Sequence, residues 1–337
     1  MSAAIAQFSC MEEKSAKLFV NSPNALAGNY TSKCDTAAAW VRAGEGGVAD
    51  VVGGGEWILA HVRTRLSILP ANNEEGLSYI QCQDEVKRVC DGIWACAGGA
   101  AKALAMMSDN GFVMEAGKDY EPSMVTAFIR LNGATVGCVA NRSEMETEDG
   151  KKESLEAVLS GKGCDKAAAF VNFCDAFNIP VLTLVNVKGY RADICSEKVI
   201  AKAAGRLTYA YANASVPKVT VIAKDALGSA GLTMGSKSLG TDIVYAWTGA
   251  SIGMMDAKEA AKIMYAKEIE AAGDAVALIN EKAGEYAALQ SSAFSAAKRG
   301  YVDDIIEARE TRQRVIAAFE MLFTKSEDRP SKKHGTV

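Results

Sequence analysis

Two proline-led strand units within residues 167–265 constrain the fold more than any other feature of this 337-residue sequence. In the first unit a helical pattern leads through Pro180 into the apolar run 181–187, and Gly189 follows. The second unit has the same order and contains Pro217, the run 219–223 and then Gly228, Ser229 and Ala230. Helical patterns that alternate with buried strands predict an α/β fold with βα crossovers. Small residues after a buried strand let backbone N–H groups approach a ligand, as an oxyanion hole requires.

The composition excludes several classes of function. The formal net charge is −4, and acidic and basic residues are mixed along the chain, so no basic stripe indicates a nucleic-acid partner. The N-terminal residues MSAAIAQFSCMEEK lack the basic and apolar regions of a signal peptide. No apolar run is long enough to span a bilayer without a charge or a turn. These patterns predict a cytoplasmic protein that is not integral to a membrane.

Cysteine and histidine usage argues against metal and nucleophilic chemistry. The nine cysteines include no C-x-x-C pair, so we favour buried free thiols in a reducing cytosol over a disulfide framework, and we predict no metal site. The chain has only His61, in the amphipathic pattern EWILAHVRTRLSIL, and His334, near the C-terminus. For His61 we favour a surface or packing role over that of a catalytic base. Stabilisation of an oxyanion by the backbone needs neither residue.

Local patterns predict the order of elements along the chain. We expect a short strand and a turn at 16–23, and a helix at Trp57–Leu69 that ends at Pro70. Asn132-Gly133 lies between two segments with the alternating pattern of β-strands, which predicts a β-hairpin. Further helical regions are expected at 84–108, 164–177, 196–213, 259–273 and 275–323, with a charged loop at 144–152.

Three long segments carry a specific resemblance: RLNGATVGCVANR at 130–142, FCDAFNIPVLTLVNVKGY at 173–190 and YAYANASVPKVTVIAKDALGSAGLTMGSK at 209–237. They resemble the carboxyltransferase subunits of biotin-dependent acyl-CoA carboxylases and decarboxylases, of the propionyl-CoA carboxylase beta and methylmalonyl-CoA decarboxylase alpha type. The resemblance implies a crotonase-like ββα-superhelix, with one copy in each of two domains. We place the domain boundary in the linker at 71–76. We therefore expect a C-terminal remnant of the first domain at 1–73, a complete second carboxyltransferase domain at 74–326 and a polar tail at 327–337.

The resemblance also implies that part of the first domain is absent. In the family, that domain supplies a glycine-rich loop whose amides hold the acyl-CoA thioester oxygen, and this chain begins beyond the loop. We expect either a separate polypeptide that supplies this half or a truncated product. A fragment of such a superhelix exposes apolar surface, which predicts a partner or dimer contact.

The candidate catalytic and binding residues follow from the same resemblance. Gly228, Ser229 and Ala230 match the loop of the second domain whose amides face the biotin ureido oxygen. The family's word is commonly Gly-Gly-Ala, so Ser229 fits without strain only if its φ is negative. Leu232 and Thr233 match positions that line the acyl pocket, and Leu232 is equally consistent with a core leucine.

A second segment is predicted to bind substrate. Gly189 and Tyr190 match a Gly-Phe loop near the family's active site. Lys188 replaces the proline that the family usually has there, and a solvated loop lysine is favoured over a contact with a CoA phosphate. Asn141-Arg142 matches a structural corner in which the asparagine side chain stabilises a turn.

The resemblance implies carboxyl transfer between a small acyl-CoA and biotin. The chain has no Met-Lys-Met biotinylation word and no phosphate-binding GxxxxGK[ST] loop, so the biotin is expected on a separate biotin carboxyl carrier protein. Decarboxylation of a malonyl-type or methylmalonyl-type CoA is preferred to carboxylation. Two alternatives stay open: a non-catalytic scaffold subunit, and a crotonase-type hydratase or isomerase. The family also implies a homo-oligomer (a dimer or a trimer of dimers), and docking on a membrane decarboxylase pump is conceivable.

Overall fold

The computed structural model describes residues 2–6, 8–27, 35–72, 78–146 and 150–327. We number its α-helices in chain order: α1 (Ser2–Ile5), α2 (Ala39–Gly44), α3 (Gly55–Ile68), α4 (Ala100–Met107), α5 (Gly161–Ala176), α6 (Ile194–Glu197), α7 (Ile200–Asn213), α8 (Gly228–Thr233), α9 (Ala257–Met264), α10 (Ala266–Ala271), α11 (Ala275–Tyr286), α12 (Ala293–Lys298) and α13 (Thr311–Met321). A π-helical segment, Ala287–Ser291, joins α11 to α12.

The β-strands of the described residues are β1 (Cys10–Glu12), β2 (Val51–Gly53), β3 (Val113–Ala116), β4 (Met124–Leu131), β5 (Ala134–Asn141), β6 (Glu144–Glu146), β7 (Lys152–Ser154), β8 (Val158–Leu159), β9 (Val181–Val187), β10 (Gly189–Tyr190), β11 (Lys218–Leu227), β12 (Ile243–Trp247), β13 (Ser251–Gly253) and β14 (Asp304–Ile306). The largest sheet among them has eight strands. Its order is β14-β12-β11-β9-β5-β4-β3, and β13 pairs with the carboxyl end of β11.

The centre of this sheet is parallel, and one of its edges is antiparallel. Strands β14, β12, β11, β9 and β5 run parallel to one another, whereas β5, β4 and β3 form an antiparallel meander. Every residue of β9 is buried, as a central parallel strand covered on both faces requires. The predicted α/β architecture with βα crossovers is therefore confirmed.

Two hydrophobic cores cover the two faces of the sheet. On one face α5 and α7 pack through residues such as Phe170 and Leu207. On the other face α4 and α13 pack through residues such as Leu104 and Ile316. The sheet is thus the middle layer of three, and the carboxyl ends of its parallel strands all reach the same edge, where ligands bind in open α/β sheets.

The N-terminal residues have a small core of their own, formed by Met11, Ala39, Ala43 and Ala49. They join the main core through Phe8 and Ile68. The predicted helix at Trp57–Leu69 is present as α3, but its amphipathic pattern did not reveal which side chains are buried. Val62 and Leu66 are exposed, and the guanidinium of Arg65 is buried against the Phe8 ring, 3.7 Å from its centroid. Val62 and Leu66 therefore take no part in the cores that the described residues form.

The other local predictions differ in how well the structure matches them. The hairpin at Asn132-Gly133 is confirmed, since both residues have positive φ and join β4 to β5. The strand expected at 16–23 is wrong, because only Lys17 forms an isolated bridge there. The helical region at 84–108 is helical only from Ile93 onward, in a short 3-10 turn at Ile93–Cys96 and in α4. The region at 275–323 also contains β14, which the pattern did not reveal.

The predicted domain division stays a prediction. Most of its linker at 71–76 and all but residue 327 of its polar tail at 327–337 lie outside the described residues, and the same holds for His334. Within the described ranges, no helix combines the length and the apolarity needed to cross a bilayer.

Two glycines provide a matched stability test. A Cβ on Gly137 would lie 2.4 Å from Cys174 Sγ and 3.2 Å from the Phe170 ring. We expect Gly137→Ala to lower the free energy of unfolding by about 1–3 kcal/mol, since it overpacks the core. Gly205 lies in α7 with open space around it, so Gly205→Ala should raise the same quantity by roughly 0.5–1 kcal/mol. Urea unfolding of both variants checks the pair, and equal effects would contradict it.

Candidate functional site

The turn from β11 into α8 forms the centre of the candidate site. The sequence predicted a loop at Gly228-Ser229-Ala230, but these residues are the first turn of α8. Gly228 makes the reversal with a φ of 58°, a conformation that L-residues adopt at a cost. The first N–H groups of a helix have no acceptor inside the helix, and the N-cap residue Leu227 provides no side-chain cap. The amides of Ser229 and Ala230 are thus placed to donate to a ligand.

The departure of Ser229 from the family's glycine does not strain the backbone. The positive φ falls on Gly228, and Ser229 is not among the described residues with positive φ. Its side chain is exposed, whereas the side chain of Ala230 is only 1% exposed and packs in the core. The requirement stated for Ser229, a negative φ, is therefore met.

Gly231 allows the helix to lie directly against the strand that precedes it. A Cβ at this position would be 2.7 Å from the carbonyl carbon of Ala226 and 3.0 Å from its oxygen. Backbone atoms do not give way as a flexible side chain does, so any larger residue would push α8 away from β11. The sequence-based prediction did not include Gly231, although the run of small residues GSAG indicates close packing at this position too.

The predicted binding segment after β9 lies beside this turn. Gly189 and Tyr190 form β10, which pairs with β8. The Tyr190 hydroxyl is 3.0 Å from Thr233 Oγ1, and Thr233 Oγ1 donates to the Ser229 carbonyl at 2.9 Å. The structure thus brings together the two segments that the sequence singled out separately, which are 43 residues apart at this contact.

Leu232 and Thr233 face different environments. Leu232 is 50% exposed, so it is not the core leucine that the pattern also allowed. Thr233 is only 5% exposed, and its hydroxyl is engaged within the chain. Contact of either residue with an acyl group stays a prediction.

Asp225 is a site-adjacent residue that the sequence analysis missed. It lies in β11, three residues before Gly228, and its buried Oδ2 has no hydrogen-bond partner among the described residues. Lys188 Nζ lies 4.0 Å away, so the two loops are linked here as well. Burial raises the pKa of the Asp225 carboxyl, and the charge of Lys188 opposes that shift. An acidic residue inside the apolar run VTVIAKDAL was the available signal.

His61 and the corner at 141–142 have structural roles in the described part of the chain. His61 stacks on Trp57 with ring centroids 5.2 Å apart, and burial lowers its pKa, in keeping with a packing role. At the 141–142 corner, the oxygen of the Asn141 side chain has no hydrogen-bond partner in the described structure. The corner is held instead by Arg142, whose Nη2 lies 2.7 Å from Glu115 Oε1.

The cysteines that the structure describes are all free thiols. Burial raises the pKa of Cys164 to about 12, which leaves it protonated and unreactive at neutral pH. Cys34 lies outside the described residues.

Comparison with known proteins identifies the family. A family model described as the carboxyl transferase domain matches residues 1–337. The chain belongs to the carboxyl transferase family. The methylmalonyl-CoA decarboxylase subunit alpha of Propionigenium modestum is 33% identical over 348 residues, which cover 100% of this chain and 66% of that subunit. The methylmalonyl-CoA carboxyltransferase 12S subunit of Propionibacterium freudenreichii subsp. shermanii is 39% identical over 277 residues, or 80% of this chain and 51% of that subunit.

A solved structure agrees with the sequence matches. The transcarboxylase 12S hexamer with hydrolysed methylmalonyl-CoA bound has a TM-score of 0.87 and 34% identity to this chain. The match covers 98% of this chain and 64% of the other. The family resemblance and the crotonase-like fold are therefore confirmed. The chain spans about two thirds or less of the length of these relatives.

Proposed function

We propose that this chain transfers a carboxyl group between a small acyl-CoA, of the malonyl or methylmalonyl type, and biotin borne by a separate carrier protein. The observation that carries the proposal is the first turn of α8, where the Ser229 and Ala230 amides have no acceptor within the helix. Family membership supports this role, because the matching turn in the family faces the ureido oxygen of biotin. The named substrate of two relatives, methylmalonyl-CoA, supports the acyl class.

The reaction depends on stabilising the negative charge that develops on two substrate oxygens more than on a side-chain base. In the decarboxylase direction, the bond between the α-carbon of the acyl-CoA and its free carboxylate breaks, and the carboxyl carbon bonds to a ureido nitrogen of biotin. The proton that leaves this nitrogen goes to the α-carbon. Biotin and the acyl-CoA therefore exchange a proton for a carboxyl group, and no further reactant is needed. Negative charge develops on the thioester oxygen and on the ureido oxygen during the transfer.

The amides of Ser229 and Ala230 are assigned to the ureido oxygen. Hydrogen bonds from preorganised backbone donors stabilise such an oxyanion, and they stabilise it most where charge develops. In the decarboxylase direction, a ureido oxygen that carries more of the charge stabilises the deprotonated ureido nitrogen that attacks the carboxyl carbon, and in the reverse direction the same stabilisation makes that nitrogen a better leaving group. Binding of the acyl chain beside Leu232 and Tyr190 belongs to the same proposal, since both border this turn.

The partners proposed for this chain follow from the chemistry. Biotin has to arrive on a biotin carboxyl carrier protein, and the hexamer named for the 12S structure supports a homo-oligomer. We also propose a cytoplasmic location and docking on a membrane decarboxylase pump. The free thiols of the described cysteines fit a reducing compartment.

The test is a biotin-dependent conversion of methylmalonyl-CoA to propionyl-CoA, and of malonyl-CoA to acetyl-CoA, followed by separation of the CoA esters. We expect product formation that requires added biotin, with the chain alone or with a polypeptide for the part of the relatives that the chain does not match. Omission of biotin is the control. Product without biotin would indicate a different reaction, and no product in either mixture would favour the scaffold alternative.

A further inference from the structure

We propose that Tyr190 and Thr233 are positioning residues, which set the direction of the Ala230 N–H through the carbonyl of Ser229. The inference rests on the proposed function of the Ser229 and Ala230 amides and adds the means by which one of them is oriented. Neither side chain needs to touch a substrate for this role.

The direction of each hydrogen bond follows from the donor inventory. A threonine hydroxyl has one proton, and here Thr233 gives it to the Ser229 carbonyl at 2.9 Å. Thr233 Oγ1 then accepts from Tyr190, whose hydroxyl lies 3.0 Å away. The chain of donors therefore runs from Tyr190 to Thr233 to Ser229. Each bond in such a chain polarises the next and strengthens it.

The acceptor at the end of this chain belongs to the peptide that supplies the proposed donor. The Ser229 carbonyl and the Ala230 N–H are parts of one planar trans peptide, so they point in opposite directions. A bond that holds the carbonyl oxygen toward Thr233 also holds the N–H outward from the start of α8. An oxyanion donor needs this fixed direction, because an N–H group that already points at the developing charge does not have to reorient during the reaction.

The surroundings favour a rigid unit. Thr233 is 5% exposed and Tyr190 is half-buried against the main core, so water competes little for these hydroxyls. Tyr190 is anchored in turn by the pairing of β10 with β8. Gly231 keeps α8 against the backbone of Ala226. The Ser229–Ala230 peptide is thus held on one side by Tyr190, which follows β9, and on the other by β11, the strand that precedes α8.

The experiment compares Thr233→Val, which keeps the shape and loses the hydroxyl, with Thr233→Ser, which keeps the hydroxyl, and with Tyr190→Phe. We expect kcat for the biotin-dependent transfer to fall about 5- to 10-fold in Thr233→Val and less in Tyr190→Phe, as loss of one hydrogen bond predicts. Thr233→Ser restores the hydroxyl and should recover most of the kcat lost in Thr233→Val, whereas a change confined to the KM for the acyl-CoA would indicate contact with the acyl chain in place of the positioning role. Equal thermal midpoints in all variants would separate orientation from a general loss of stability.

A crystal structure of Thr233→Val supplies a readout that does not depend on activity. Rotation or disorder of the Ser229–Ala230 peptide supports the inference. An unmoved peptide, or an unchanged kcat in Thr233→Val, overturns it while the proposed function stands. A wild-type protein without any transfer overturns the proposed function, and the positioning role for that reaction falls with it.

Discussion

Replacing Ser229 with proline is expected to lower the rate of biotin-dependent carboxyl transfer about 100- to 1,000-fold, the usual effect of removing one oxyanion donor. Proline removes the N–H of residue 229 and nothing else from the proposed donor set. Its ring is compatible with the first turn of a helix, and the exposed position of Ser229 leaves room for it. The measurement is kcat for propionyl-CoA formation from methylmalonyl-CoA.

Ser229→Ala is the matched control, since it removes the hydroxyl and keeps the N–H. We expect it to retain activity close to that of the wild type. Far-ultraviolet circular dichroism and the thermal midpoint should be alike in both variants, which would confine the loss to the site. A proline variant with normal kcat would show that this amide does not stabilise the transition state. Bulky replacements of Ala230 give no such clean test, because its side chain is buried in the core.

Local chemistry was sufficient to predict the central elements of this fold. The largely apolar, β-branched run 181–187 predicted a strand covered on both faces, and it is β9. Asn132 and Gly133 both tolerate positive φ, so together they predict a tight hairpin turn, and the structure has φ of 50° and 82° there. In both cases, the residues that determine the structure are adjacent in the sequence.

The sequence was insufficient wherever distant residues decide the outcome. The apolar spacing of α3 indicated a helix, but not that Arg65 would be buried against Phe8 while Leu66 stayed exposed. The word GSA indicated small residues at a turn, but the start of a helix at Gly228 depends on how α8 packs against β11. The contact between Tyr190 and Thr233 depends on the neighbouring positions of β9 and β11 in the sheet. Pattern reasoning found both segments without showing that they form one site.

Replacing Asp109 with alanine is expected to lower the free energy of unfolding by about 3–5 kcal/mol, the largest effect on stability that we expect from a single truncation in this chain. Arg312 of α13 is fully buried, and its Nη2 lies 2.6 Å from Asp109 Oδ1. The alanine variant would leave this guanidinium charge in the core without its closest counterion. Loss of one partner of a buried ion pair costs more than the intact pair contributes, because desolvation of the remaining charge is less well compensated; the counterion that remains is Asp84, whose Oδ2 lies 3.7 Å from Arg312 Nη2.

Asp109 also holds the hairpin turn that joins β4 to β5. Its carboxylate accepts from the Asn132 N–H at 3.1 Å and from the Gly133 N–H at 2.7 Å. These donors lose a buried acceptor in the alanine variant, which adds to the cost. Asp109→Asn keeps one acceptor oxygen and loses the charge, so it should fall between the wild type and the alanine variant. The order of the three proteins in urea unfolding distinguishes the charge from the hydrogen bonds.

Glu259→Ala provides the surface comparison for this prediction. Glu259 Oε1 lies 2.7 Å from Lys262 Nζ, a distance like that of the buried pair, but both side chains are at least half exposed. Water already solvates these charges, so the loss should be at most about 1 kcal/mol. Similar losses in Glu259→Ala and Asp109→Ala would show that burial does not set the cost. A large loss confined to Asp109→Ala would show that the pair of Asp109 and Arg312 fixes α13 against the hairpin, on the face of the sheet opposite α5 and α7.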